Sequence, residues 1–329
     1  MITDIDRLFG DFNKMKVGVI GDVMLDTYWW GHVERISPEA PVPVVAVKKK
    51  EQRIGGAGNV ALNLKQLGAS VALISIIGED EEGAAVKQIL KAQDIDTRYL
   101  IESKKRITTN KIRIISRNQH MMRLDAEQVN ELDSNEEEIL VNLIKKYITI
   151  ESPDVIILED YNKGVLTNRV ITDTIAVCNS KGIPTTVDPK RKNFFGYKGA
   201  TLFKPNLQEV FTSLNLLPEE VTDTLLQDIH EQLKKDLDHR ISLITLSDKG
   251  IFYNDEKGNK LIPSHRREIA DVSGAGDTVI AVASLVYANT KDTETAAAIA
   301  NVAGGIVCEE VGTVPINKER LLAECKRLL

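Results

Sequence analysis

Cysteine is scarce in this chain. Three occur in 329 residues, Cys178, Cys308 and Cys325, too far apart for a CxxC pair. That excludes a disulfide framework and a cysteine-based zinc site, and it fits a reducing, cytoplasmic setting. No apolar run reaches the roughly 18 residues that span a bilayer. The N-terminal MITDIDRLFGDFNKMK carries acids and is amphipathic, unlike a signal peptide. Basic excess is missing too: 42 Lys and Arg face 48 Asp and Glu, for a net charge of -6. Neither nucleic acid nor a membrane is therefore the expected partner, although a local basic pocket can still hold an anionic small molecule. The five histidines (His32, His120, His230, His239, His265) show no HxH or HxxxH spacing. A P-loop GxxxxGK[ST] is absent as well, so any nucleotide must be held by another device.

What is present is a regular alternation. Continuous apolar runs at Val17–Asp22, Val71–Gly78, Asp154–Asp160, Ile183–Asp188 and Ile241–Ser247 read as buried strands. Amphipathic segments of helical length fall at Asn59–Leu67, Glu82–Gln93, Ser134–Ile148, Thr167–Ser180 and Glu219–Leu237. This pattern predicts an α/β fold with a mainly parallel sheet covered by helices on both faces. Ligands of such sheets sit beyond the carboxyl ends of the strands, where Asp22, Asp160, Asp188 and Ser247 stand. Two segments break the alternation, at about residues 25–50 and 106–125, and read as antiparallel strands of a small flap over that crevice. The last third turns helical, at Ala275–Ala288, Asp292–Glu309 and Asn317–Leu328.

Five stretches can carry chemistry. In DVSGAGDTVIAVASLVYA, Gly274 and Gly276 let backbone approach a ligand, and a helix starting near Ala275 turns its free N–H groups toward an anion. Asp277 at that start could take a proton from an attacking hydroxyl, although Asp277 and Ser273 would serve equally as helix caps. In RIGGAGNVALNLKQLG, Gly56, Gly58 and Ala61 match the loose dinucleotide fingerprint, with Glu79 at about the right distance. A strand and a flap already precede it, which favours a substrate-binding turn where Asn59 offers both donor and acceptor. In LFKPNLQEV, Asn206 and Glu209 form a capping-box spacing that can also orient Mg2+ waters. Lys163 and Lys190 follow strand-end acids and could reach a phosphate. The competing reading for each is a solvated lysine.

GGAGNVALNLKQLG and DVSGAGDTVIAVAS, in this order, resemble the two signatures of the PfkB/ribokinase-like sugar kinases, and the resemblance covers essentially the whole chain. It implies a ribokinase-like three-layer α/β/α sandwich with a mainly parallel central sheet and a small β-flap, as a single domain over residues 1–329. Within the family, RISPEAPVPVV and LEDYNKGVLT resemble the branch that phosphorylates D-glycero-β-D-manno-heptose 7-phosphate at O1, on the route to ADP-heptose and lipopolysaccharide. Carried over by position, Asp277 is the catalytic base, and the backbone of Gly274, Ala275 and Gly276 is the anion hole. Asn206 and Glu209 serve Mg2+, through water. Ser247, Lys249 and Gly250 lie along ATP, and Asn301 and Gly304 pack the adenine. Asp26, Gly55, Gly56 and Asn59 hold the sugar, with Lys163 beside Lys111, Arg113 and Arg123 as candidates for its 7-phosphate. Asp271 lies near the loop that binds a monovalent cation in some members, which leaves such an ion as a further cofactor to test. The flap implies a homodimer. No HxGH motif occurs, so adenylyl transfer is expected from a separate protein.

Two other classes compete with this reading. One is a dehydrogenase built on the Gly56–Ala61 string, and the other is a non-catalytic sugar sensor. A third alternative stays within the fold: a kinase for another sugar, sugar phosphate or nucleoside.

Overall fold

A computed structural model describes residues 4–117, 119–217 and 220–329. Thirteen strands are described: β1 (Lys16–Gly21), β2 (Val23–Ile36), β3 (Pro43–Gly56), β4 (Ser70–Gly78), β5 (Leu100–Ser103), β6 (Thr109–Ser116), β7 (Gln119–Ala126), β8 (Val155–Glu159), β9 (Thr185–Asp188), β10 (Leu202–Phe203), β11 (Ile241–Thr245), β12 (Ile251–Asp255) and β13 (Gly258–Ile262). Nine of them form one sheet in the order β13-β12-β11-β10-β9-β8-β1-β4-β5, and four form a second in the order β3-β2-β6-β7.

The large sheet is parallel from β11 through β5, and only the β12–β13 hairpin at its edge runs antiparallel. Its central strands are buried along almost their whole length, as continuous apolar runs require when both faces are covered. One face packs on the helices Ala57–Gln66, Ala275–Thr290 and Thr293–Val307, and the other on Ser134–Glu151, Asn168–Ser180 and Asp223–Leu237. The predicted helix from Glu219 starts at Asp223 with Thr222 as its cap, and Glu219 itself lies outside the described residues.

The flap is the second sheet. Its expected antiparallel pairing holds for β2 with β3 and for β6 with β7, but β2 pairs with β6 in parallel. The chain crosses the large sheet between those two strands, so β6 re-enters the flap in the direction of β2. The β12–β13 hairpin was not anticipated, although Asp255-Glu256-Lys257-Gly258, with Gly258 at φ +135°, is an ordinary turn signal between apolar runs.

Candidate active site

Strand order decides what meets at the centre. β9 and β8 are neighbours and β1 follows, so the residues closing these strands converge: Asp188, Glu159 and Gly21. Asp22, just past β1, is 1% exposed and accepts three backbone N–H groups, from Tyr161 at 2.8 Å, Lys163 at 3.0 Å and Val165 at 3.1 Å. One buried carboxylate thereby shapes the whole loop after β8. That loop carries Tyr161, whose hydroxyl donates to Asp277 Oδ1 at 2.7 Å.

Asp277 lies in the first turn of the helix Ala275–Thr290 and is 3% exposed. Asn59 Nδ2 donates to its Oδ2 at 2.7 Å. The capping alternative fails here, since the N-cap is Gly274 at φ +79° and no side chain caps the helix. Burial pushes the Asp277 carboxyl up, the Tyr161 and Asn59 hydrogen bonds pull it down, and the balance sits at about 6. A Cβ on Gly274 would stand 2.9 Å from Asn59 Nδ2, so the loop needs glycine for both its left-handed backbone and its close approach.

The second carboxylate of the floor, Asp188, is held by Lys204 at 2.8 Å and Lys190 at 3.5 Å, and Lys190 also meets Glu209 at 2.6 Å. Burial works to raise the Asp188 carboxyl, but the two lysines outweigh it and hold it below the usual carboxylate range. Glu159 has no such help. Burial, then the charges of Asp188 and Asp277, drives its carboxyl well above the ordinary range.

A cleft of about 960 Å³ opens from this centre. Gly274, Ala275, Gly276, Asp277, Asn206, Ser247, Gly250, Asn301 and Gly304 line it, as do Tyr161, Asp188, Lys190 and Lys204. Lys249 and Glu209 do not line it. Lys249 is exposed beside the cleft, and Glu209 reaches it only through Lys190. The capping box is fully formed: Asn206 Oδ1 accepts from the Glu209 N–H and Glu209 Oε2 from the Asn206 N–H, both at 2.8 Å. Both carboxylate oxygens of Glu209 are thereby engaged, Oε1 by Lys190 and Oε2 by the Asn206 N–H, while Asn206 itself lines the cleft.

On the flap side, Asp26 is 4% exposed and ion-paired with Arg113. Gly55 and Gly56 close the turn beneath it, where a Gly55 Cβ would stand 2.5 Å from Asp26 Oδ2. Asn59 therefore bridges the flap turn to Asp277. Lys163 is ion-paired with Glu127 at 2.8 Å and Arg123 with Asp125 at 2.9 Å. Lys111 Nζ lies 6.0 Å from the Tyr161 ring. Asp271 accepts from the Ser273 N–H and hydroxyl and from the Gly312 N–H, which uses both its oxygens in shaping the loop before Gly274. The dinucleotide string is a packing feature, because a Cβ on Gly58 would strike Ile54 Cγ1 at 2.3 Å and the run follows the flap strand β3 rather than β1.

Sequence reading missed Tyr161, Glu159 and Lys204. Tyr161 and Glu159 stood inside LEDYNKG, and Lys204 stood two residues before Asn206.

The sequence model of a family described as pfkB family carbohydrate kinase matches residues 14–320. Over 322 residues, 97% of this chain, the sequence is 38% identical to the bifunctional protein HldE of Syntrophotalea carbinolica, of whose length it spans 64%. Among solved structures, phosphofructokinase-2 of Escherichia coli in complex with potassium superposes with a TM-score of 0.77 at 17% identity, covering 95% of this chain and 99% of that one. Ribokinase of Arabidopsis thaliana complexed with ribose and ATP gives 0.72 at 15%, covering 94% and 98%. Among the described residues, no helix is long and apolar enough to cross a membrane.

Proposed function

This chain belongs to the pfkB family of carbohydrate kinases, and from that premise we propose that it transfers the terminal phosphoryl group of MgATP to O1 of D-glycero-β-D-manno-heptose 7-phosphate, giving the 1,7-bisphosphate on the route to ADP-heptose. The observation that carries the reading is the position of Asp277, a buried carboxylate at a bare-backbone helix start, between the 960 Å³ cleft and the flap. ATP would lie in the cleft with its terminal phosphate on the N–H groups of Gly274, Ala275 and Gly276, along Ser247 and Gly250, and with its base near Asn301 and Gly304. Asp277 would accept the proton of the anomeric hydroxyl, which Tyr161 and Asn59 prepare by fixing the carboxylate. The transition state is loose, so positioning and charge stabilisation supply most of the rate. Asn206 and Glu209 would hold Mg2+ through water, and the ion would supply positive charge against the phosphates.

A phosphorylated sugar is favoured by the charge of the flap. Arg113 and Arg123 are paired in register and Lys111 lies two residues from Arg113, so the three share the face that bears Asp26. Lys163 stands on the facing loop. Arg113, Arg123 and Lys163 are held by Asp26, Asp125 and Glu127, while Lys111 has no ion pair among the described residues, so four cations stand against three carboxylates and the excess positive charge suits an anionic substituent better than a free hydroxyl. ATP consumption tested over a panel of sugars and sugar phosphates decides the matter. Turnover with heptose 7-phosphate well above fructose 6-phosphate, ribose and nucleosides is expected, and the reverse order rejects this substrate. The opposite flap face carries Ile112, Ile114, Met122 and Leu124, with Met122 56% and Leu124 43% exposed. That apolar surface supports a homodimer, for which light scattering should report twice the chain mass.

The acid side of the rate profile follows from Asp277. The base acts only when ionised, so kcat/KM should fall as pH drops through about 6. In Tyr161→Phe one hydrogen bond that favours the carboxylate is gone. The acid limb should then move to higher pH, with kcat lowered roughly tenfold. A Tyr161→Phe limb unmoved or shifted downward would separate Tyr161 from the base.

A further inference from the structure

One buried polar side chain belongs to neither the cleft nor the flap. Asn63 is 0% exposed in the helix Ala57–Gln66 and does not line the cleft. Asparagine is a poor choice for a helix interior, where it competes with the backbone for hydrogen bonds, and an uncommon one for a core. It stands four residues from Asn59, on the same face of the helix.

Its hydrogen-bonding capacity is filled at both ends. Asn63 Oδ1 accepts from the Ile316 N–H at 2.9 Å and from the Thr278 hydroxyl at 3.1 Å. Asn63 Nδ2 donates to the Asn59 carbonyl at 2.9 Å and to Asn59 Oδ1 at 3.3 Å. These bonds can run in one sense only. A backbone N–H donates and never accepts, so Ile316 fixes which end of Asn63 is oxygen. The other end is then nitrogen and needs acceptors, which turns Asn59 Oδ1 toward it. Asn59 is left with Nδ2 toward Asp277, where it donates to Oδ2 at 2.7 Å. The two ends of a carboxamide are nearly equal in size, so packing alone would not choose between them. Turned the other way, Asn59 would set Oδ1 against Asp277 Oδ2, acceptor against acceptor.

We propose, on the reading of Asp277 as the base, that Asn63 is a positioning residue of phosphoryl transfer: it locks the Asn59 amide with its donor end toward Asp277, through a chain that begins at the Ile316 N–H. Tyr161, Glu159, Asp188 and Lys190 are the titratable groups around Asp277 among the described residues, and Asn63 bonds to none of them. Its effect on the base therefore runs through Asn59.

Steady-state kinetics of the full chain across pH, in Asn63→Leu, Asn59→Leu and the double variant, test the lock. Asn63→Leu keeps the shape of the side chain and removes both polar ends. It should lower kcat about tenfold and leave the KM for ATP within about twofold, since Asn63 does not touch the cleft. Its acid limb should move to higher pH, because the Asn59 bond favours the carboxylate. In the Asn59→Leu background the same change should cost no more than about twofold further. A folded Asn63→Leu with unchanged kcat and limb overturns the proposal, as does an equal loss without Asn59. A wild-type profile with no acid limb near 6 would instead reject Asp277 as the base, and the lock with it. Should a variant not fold, neutron diffraction from wild-type crystals exchanged into D2O replaces it. Deuterons of Asn59 directed at Asp277 Oδ2, and those of Asn63 at Asn59, are expected. Either amide found reversed overturns the lock and leaves the kinase reading intact, because that readout does not depend on turnover.

Discussion

Asp277→Asn is expected to lower kcat by about 10²- to 10⁴-fold, the usual contribution of a general base, while ATP binding measured by calorimetry is retained. That loss is about 2.7–5.5 kcal/mol of barrier. The substitution keeps the volume of the side chain and removes its charge. Tyr161 can still donate to the amide oxygen, but the new amide nitrogen would then face Asn59 Nδ2, donor to donor. The local cost is therefore one buried hydrogen bond, small beside the loss of the proton acceptor. Near wild-type turnover in this variant would mean that the proton leaves the sugar hydroxyl by another route.

The second large effect is on stability. Lys204 is 2% exposed and Asp188 is 3% exposed, and their 2.8 Å ion pair joins β10 to the end of β9. Lys204→Met preserves most of the packing and strips Asp188 of its nearer cation, leaving Lys190 at 3.5 Å. Breaking a buried pair from one side typically costs 3–5 kcal/mol, because the partner charge stays buried. Denaturant unfolding should show a loss of about that size. A change under about 1 kcal/mol would mean that Lys190 or water compensates Asp188 without help. Lys204 also lies 3.8 Å from the Cβ position of Gly276, so activity should fall with stability.

Much of this architecture could be read from the chain itself. The strands near Val17, Val71, Asp154, Ile183 and Ile241 are continuous apolar runs because both faces of the sheet are covered, and each was found within a few residues of its place. The two glycine stretches were legible because bare backbone beside a helix start has few other uses. The floor of the cleft was harder. Glu159, Asp188, Lys204 and Asp277 are spread over more than a hundred residues, and they meet only because β10, β9 and β8 are neighbours in the sheet. Periodicity does not encode strand order. Tyr161 was masked for a related reason: its role depends on Asp22, which draws three N–H groups of the 161–165 loop inward across 139 or more residues of sequence. Glu209 shows the reverse case. Its spacing to Asn206 fits both a cap and a metal relay, and the hydrogen bonds show the cap to be complete. The parallel pairing of β2 with β6 was hidden because each flap segment looks like half of a hairpin when read alone.

The most direct test of the account is a structure of the ternary complex with a non-hydrolysable ATP analogue and D-glycero-β-D-manno-heptose 7-phosphate. The account predicts the anomeric oxygen within hydrogen-bonding distance of the Asp277 carboxylate and the terminal phosphate on the N–H groups of Gly274 to Gly276. A terminal phosphate bound away from that loop, or an anomeric oxygen directed to any other side chain, would contradict it.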